Sequence, residues 1–248
     1  MTSDGVSPPV DVVEVGFALD GEEHRLPLTE VWSVPFETCS PARSFPSYRG
    51  QRHFPGLWWS ATTGRHVGFE SWLERDRLML LDFDPDVVGI SSQPFWLLWT
   101  ADNGRTRSHA PDYFARLADG RGLVVDVRPP DRIKPSDAVA FDLTRCCCDA
   151  LGWDYTVLGA DDEVLVANVR WLAGYRHPRH QVPELAGQLR TVFASGLGLH
   201  DGAERVGDPI AVLPVLFHLL WQHELHASLS RPLHPDTLVT TVDAGVRA

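Results

Sequence analysis

His109-Ala110-Pro111-Asp112, followed after a short turn by Val124-Val125-Asp126-Val127-Arg128, sets two acids and a cation on one short stretch of chain. A third acid, Glu74, lies upstream in a helical pattern. Three carboxylates and one cation arranged this way suit a metal-dependent site that cleaves phosphodiesters. Clustered carboxylates repel one another unless a cation neutralises them. Their hard oxygens favour Mg2+ or Mn2+. A metal between Asp112 and Asp126 would polarise a phosphodiester and activate water. A second, held partly by Glu74, would stabilise the leaving oxygen.

A hairpin must bring these residues together. Asp119-Gly120 is a strong turn signal, and paired residue numbers across it should sum to about 238–240, which sets Asp112 opposite roughly 126–128. Asp126 and Arg128 are two apart, so both side chains should share one strand face. A bulge would decide whether Asp112 joins them. Glu74 reaches the same edge if its helix packs on this sheet. The bland alternative is a surface salt bridge between Asp126 and Arg128. Against it, Asp126 sits in the apolar run Leu123–Val127, where an unpaired carboxylate is costly.

The flanking pattern supplies the elements. Residues 1–9 read as a disordered tail, Val10 to Leu19 as a strand and Val31–Phe36 as a short strand. Leu57–Ala61 and Arg65–Phe69 flank Thr62-Thr63-Gly64 as a hairpin. Glu70 to Phe83 reads as a helix with Phe69, Trp72, Leu73, Met79, Leu80 and Phe83 on one apolar face, ended by Asp84-Pro85. Strands follow near Val87–Ser92, Phe95–Thr100, from Asp112, and at Leu123–Val127. Pro135 to Leu151 and Val164–Tyr175 read as helices on either side of a buried strand, Trp153–Leu158. The polar segment Arg176–His180 marks a boundary. Beyond it, Val182–Ser195 and Pro209–Ser228 read as helices, and Pro232 to Val242 ends in a strand-like run. Two helices and a small β element suggest a winged helix. The expected division is a tail and strand at 1–30, a main domain at 31–175 and a small C-terminal domain at 181–248.

Composition narrows the function classes. No apolar run reaches the roughly 18–20 residues that span a bilayer. Met1–Pro9 is polar and acidic, and does not read as a secretory signal. Four cysteines, three of them adjacent (Cys146, Cys147, Cys148), form no disulfide framework, so a reduced, cytoplasmic protein is expected. The net charge of −11 repels nucleic acid at long range, so a DNA enzyme of this composition needs a basic partner or a locally basic face. Lys134 is the only lysine.

Other signals are weaker. His218, His223, Glu224 and His226 are expected on one C-terminal helix, but lack the H-E-x-x-H spacing of zinc peptidases. The cysteine triplet falls in the Pro135–Leu151 helix as small apolar groups. Arg170, Arg176, Arg179 and Arg190 are candidates for a basic patch near the boundary, or for a solvated face.

Phe69-Glu70-Ser71-Trp72-Leu73-Glu74-Arg75-Asp76, Leu81–Val87, Ser92-Gln93-Pro94-Phe95, His109–Tyr113, Val125–Pro129 and Val166–Tyr175 succeed one another in an order that resembles the TnsA-like transposase endonuclease subunits of Tn7-type elements. The resemblance covers about residues 50–175. It implies an α/β fold with a restriction-endonuclease-like mixed sheet flanked by helices, and a small mainly helical or winged-helix C-terminal domain. It also implies one half of a heteromeric transposase, which cuts the 5′ ends of the element while a DDE-type partner cuts and joins the 3′ ends. DNA, that DDE-type partner and an ATPase regulator are the implied partners, and Mg2+ (or Mn2+) the implied cofactor. Glu74 matches the family's helix acid, Asp112 its metal-bridging acid, Asp126 the residue two before the basic one, and Arg128 the catalytic lysine.

Arg128 departs from that pattern. A buried lysine can lose its proton beside a metal, whereas arginine effectively cannot. Arginine can still hold a phosphate bidentately or stabilise its transition state. Lys134 is an alternative cation, set at the start of the next helix. A subunit that keeps the fold as a scaffold between partner and DNA is the main rival to an enzyme. A stand-alone restriction-type nuclease is the third reading.

Overall fold

The computed structural model describes residues 10–43, 54–101 and 103–242; the expected tail at 1–9 lies outside them. The chain divides into two compact units between Ala160 and Asp161. This differs from the expected boundary at 176–180 and from the separate segment at 1–30.

In the first unit, β1 (Glu14–Leu19) and β2 (Glu22–Pro27) form a hairpin. The pair β3 (Gly56–Trp59) and β4 (His66–Phe69) is a second one, as the Thr-Thr-Gly turn predicts. Helix α1 (Trp72–Phe83) follows, and then β5 (Val87–Ser92), β6 (Trp96–Thr100), β7 (Thr106–His109), β8 (Tyr113–Leu117) and β9 (Gly122–Val127). Helix α2 (Pro135–Leu151) and β10 (Asp154–Leu158) complete the unit.

Two four-stranded sheets result. One has the order β2-β1-β6-β7 and is antiparallel throughout. The other has the order β10-β9-β8-β5 and is mixed, because α2 carries the chain back to lay β10 parallel to β9. β1 is hydrogen-bonded to β6, so the N-terminal strand belongs to this unit.

Strand alternation gives the mixed sheet two apolar faces. Tyr113, Ala115, Val125 and Val127 pack with Leu78 and Leu81 of α1. Phe114 and Val124 point the other way, to Leu143, Cys147 and Cys148 of α2 and to Val15, Leu97 and Phe95 of the antiparallel sheet. Helix α2 ends at Gly152, whose φ of 69° is the left-handed conformation of a C-terminal cap.

Helix α1 begins at an N-cap, Ser71, whose Oγ accepts from the Glu74 amide at 3.2 Å. Its buried face is Leu78, Met79, Leu81 and Asp82, and Trp72 is 52% exposed, so the expected apolar stripe is rotated. The rotation has a cause. Asp82 is buried because the β3–β4 turn wraps it with four donors: Trp58 Nε1, Ser60 Oγ, and the amides of Ala61 and Thr62. The expected strand at Val31–Phe36 is absent; short 3-10 turns at Leu28–Glu30 and Phe36–Thr38 bury Val31 and Phe36 instead.

The second unit holds α3 (Glu163–Ala173), α4 (Pro183–Val192), β11 (Leu197–Gly198), α5 (Leu199–Val206), α6 (Pro209–Trp221), β12 (Leu225–Ala227) and β13 (Leu238–Thr241). The strands pair in the order β11-β13-β12. Helix α3 belongs here rather than with the first unit. Asn168 donates to the carbonyls of Leu229 and Arg231 and accepts from the Leu233 amide, and Trp171 packs edge-on against Phe217 of α6. Among the described residues no helix is long and apolar enough to cross a membrane.

Candidate active site

The chain crosses from one sheet to the other twice at the same place. β5 leads through Gln93 into β6, and β7 leads through Ala110–Asp112 into β8. The two crossings are joined: the Gln93 amide donates to the Asp112 carbonyl at 2.9 Å. Gln93 is buried with φ of 47°, a left-handed conformation rare outside glycine. Such local strain persists only where the surroundings hold it, and it concentrates at functional sites.

Asp112 therefore sits at the head of β8, beside the end of β9. The register Tyr113↔Val125 fixes the pair sum at 238, the lower end of the expected range. The Asp112 carboxylate accepts from the Val127 amide at 2.7 Å. It lines a cavity of about 300 Å³ together with Arg43, Glu70, Ser71, Leu73, Glu74, Val127, Arg128, Pro129 and Arg132. Asp112 and Glu74, thirty-eight positions apart in the chain, are thus brought to one cavity with Arg128.

Tyr113 ties the two acids' elements together. Its buried hydroxyl donates to the Glu74 carbonyl at 3.2 Å, linking the first turn of α1 to β8. Glu74 itself accepts from the Glu70 amide at 2.8 Å and from Ser71 Oγ at 2.9 Å. Each carboxylate oxygen has one such donor, and a second lone pair on each is left for another ligand.

The electrostatics of the two acids are set first by burial and then by their acidic neighbours. Desolvation pushes the Asp112 carboxyl well above its ordinary value, and the charges of Asp126 and Glu74 push it further; the Val127 amide and Arg128 only partly offset this. Glu74 is also raised, first by burial and then by Glu70 against its own hydrogen bonds. Burial and the same acids raise the Tyr113 hydroxyl.

Asp126 is held differently from expectation. Its carboxylate is 3% exposed and is not part of the cavity lining. Tyr155 donates to it at 2.6 Å, and His109 Nε2 lies 3.0 and 3.1 Å from its two oxygens. Arg128 lines the cavity without Asp126 because β9 ends at Val127, so strand alternation no longer relates the two side chains. The pair makes no salt bridge among the described residues, which removes the bland surface reading. Asp126 still bears on the site, since its charge helps to raise Asp112.

Two arginines that the sequence did not single out, Arg43 and Arg132, also line the cavity. Arg43 places two nitrogens on the two oxygens of Glu70, at 2.9 and 2.6 Å. The Gln93 side-chain amide, in the orientation that satisfies both of its groups, accepts from Arg43 Nη2 at 3.1 Å and donates to the Arg43 carbonyl at 3.2 Å. Arg132 enters from a 3-10 turn at Pro130–Arg132. Ser71-x-x-Glu74 was a readable cap signal, but nothing in the Pro- and Ser-rich segment around Arg43 marked it.

The remaining candidates lie elsewhere. Lys134 is the exposed N-cap of α2 and does not line the cavity. The four residues expected on one C-terminal helix are separated, because α6 ends at Trp221 and His223 takes a φ of 55°. His218 is buried with Nδ1 2.8 Å from the Tyr175 carbonyl, Glu224 pairs with Arg190, and His226 lies in β12. Cys147 and Cys148 are buried as expected, but Cys146 is exposed. No group of three or more His, Cys, Asp or Glu side chains positioned to hold a metal occurs among the described residues.

No protein-family model matches this chain, and no curated protein matches it significantly.

Proposed function

We propose that this cavity is a divalent-cation-dependent phosphodiester site acting on DNA, in the manner of the TnsA-like endonuclease subunits the sequence resembles. The observation that carries the reading is the convergence of Asp112, Glu74 and Arg128 on one cavity, with both acids raised by burial and like charge. Carboxylates perturbed by desolvation and by a specific neighbouring charge in a cleft are candidates for a functional site.

The donor set suits Mg2+, or Mn2+, held by two carboxylates rather than three. Mg2+ typically takes one or two protein carboxylates and completes its shell with water and substrate phosphate. Glu74 and Asp112 are the residues that would hold it. A bound ion would polarise the phosphodiester and lower the pKa of an attacking water. Arg128 stays charged and cannot serve as a base, so its part is to hold phosphate and offset developing negative charge. Asp126, with its oxygens engaged by His109 and Tyr155, acts on Asp112 through its charge.

Two features of the fold support the finer family reading. The mixed sheet with α1 on one face and α2 on the other suits a restriction-endonuclease-like core. The succession α4, β11, α5, α6, β12, β13, with β13 between the other two strands, suits a winged helix. The partners proposed with this reading are DNA, a DDE-type transposase subunit and an ATPase regulator, in the cytoplasm.

One observation favours the scaffold reading as the alternative. Helix α6, Pro-Ile-Ala-Val-Leu-Pro-Val-Leu-Phe-His-Leu-Leu-Trp, has no lysine or arginine and is largely buried. A helix that reads the major groove presents basic or amide side chains to base edges. This unit is better suited to binding protein, and the −11 net charge points the same way.

The test is nicking of supercoiled DNA in Mg2+ and in Mn2+, with and without the DDE-type partner, using Asp112→Ala as the control. Cleavage lost in the variant is the expected result. No cleavage by either form, with partner binding retained, would replace the enzyme by the scaffold.

A further inference from the structure

We propose that Arg128 and Arg132 together grip one phosphate of a DNA strand at the mouth of the cavity, as a two-guanidinium clamp separate from the carboxylate pair. The inference rests on reading the cavity as a phosphodiester site, and it assigns the strand-holding role to a residue, Arg132, outside the acid constellation.

Three arginines line the cavity, and they are not equivalent. Arg43 is occupied by Glu70 on two nitrogens and braced by Gln93. Arg128 and Arg132 make no side-chain hydrogen bond or ion pair among the described residues, although Glu74 and Asp112 line the same cavity. Both are exposed, so an extended polymer can reach them. Guanidinium groups offer planar forks that match phosphate oxygens.

Their backbone is stiff. Pro129 and Pro130 separate the two arginines, and the Arg132 amide donates to the Pro129 carbonyl at 2.9 Å. Proline fixes φ, so little conformational freedom is lost when a ligand is gripped. Gly159, just beyond β10, supports this segment at close range. A Cβ there would stand 2.9 Å from Pro130 Cδ. The clamp is therefore set by a close contact that any larger residue at 159 would disturb.

The acids beside the clamp shape its ligand. Glu74 and Asp112 repel an anion unless a divalent cation lies between them and the phosphate. Binding of DNA should therefore require the cation, and a lone phosphate should hold weakly.

The experiment is fluorescence anisotropy of a labelled DNA duplex with the full chain in Ca2+, repeated over a series of salt concentrations. Arg132→Ala should weaken binding about 10-fold and reduce the slope of log affinity against log salt by about 1. Arg132→Lys should restore the slope but not the affinity. Gly159→Ala, which changes no charge, should weaken binding while leaving the slope intact. Arg121→Ala, whose guanidinium is paired with Asp119 and Asp154, should change nothing.

Unchanged affinity and slope in Arg132→Ala would overturn the clamp. So would a 5′-mononucleotide or inorganic phosphate that competes as tightly as the duplex, because the ligand would then be a free phosphate rather than a strand. Nicking by Asp112→Asn, measured in parallel in Mg2+, separates the two readings. Weakened binding by Arg132→Ala in a protein that never nicks keeps the clamp and removes the hydrolysis. Nicking that depends on Asp112, with binding indifferent to Arg132, does the reverse.

Discussion

Asp82 and Asp112 both meet the same sheet-and-helix layer, and they are treated in opposite ways. Asp82, 4% exposed near the end of α1, has a donor for nearly every lone pair: an indole, a hydroxyl and two amides. Asp112, at the crossing between sheets, has the Val127 amide and the nearby charges of Asp126 and Glu74. A satisfied buried carboxylate fastens a turn to a helix. An under-satisfied one, facing a cavity beside other acids, is where the proposed cation would be held. Asp126 lies between the extremes, with two partners and no access to the cavity.

The comparison is sharpened most by Asp112→Asn. Nicking should fall by about 10²–10³-fold, while the melting temperature rises because a like-charge contact is relieved. A fall in melting temperature would make Asp112 structural after all. Asp82→Ala should do the opposite, lowering stability by about 3 kcal/mol in a denaturant titration because its donors lose their acceptor. Nicking per folded molecule should be unchanged, and a specific loss of activity would break the contrast. Tyr155→Phe is intermediate. It should lower stability by about 1–2 kcal/mol, because a buried Asp126 oxygen loses its hydroxyl donor.

The smallest effect is a linkage between pH and cation. Burial and neighbouring acids raise folded Asp112 above its ordinary 3.8. Between those values the folded chain holds a proton that the unfolded chain has released, so stability falls as pH rises through this window and the loss is complete above it. Mg2+ bound as proposed would relieve the repulsion, and should raise the melting temperature more at neutral than at mildly acidic pH. The difference should vanish in Asp112→Asn. Equal shifts at both pH values would argue against a cation on this carboxylate.

Much of the frame was legible. β5 and α2 fall on their expected residues, Val87–Ser92 and Pro135–Leu151, because each has a continuous pattern between clear proline or glycine signals. β2, Glu-Glu-His-Arg-Leu-Pro, was not legible, since an edge strand of polar residues has no apolar alternation to read. β7 is hidden for the same reason, with most of its residues exposed. Helix α5 was missed because Gly202 lies in it, packed against the Phe193 ring where no Cβ fits.

The site was legible in part for a different reason. Asp112 and Glu74 could be placed in register with the hairpin and the helix, and both line the cavity. The direction of the Asp126 carboxylate could not, because its partners His109 and Tyr155 come from β7 and β10, on opposite sides of it in sequence. The rotated α1 stripe follows the same logic. The position of Trp72 depends on Asp82 being drawn inward by a turn twenty residues before it, and periodicity has no access to that pull.

The bond between the Gln93 amide and the Asp112 carbonyl joins two strands that each leave one sheet for the other. It ties the two crossovers to each other at the seam between the sheets. Insertions of a single residue at 93 or at 110–112 would slip two sheets at once, so this stretch should accept changes of side chain but not of length. Its amides should be among the slowest in the protein to exchange with deuterated water, opening only when the whole first unit opens.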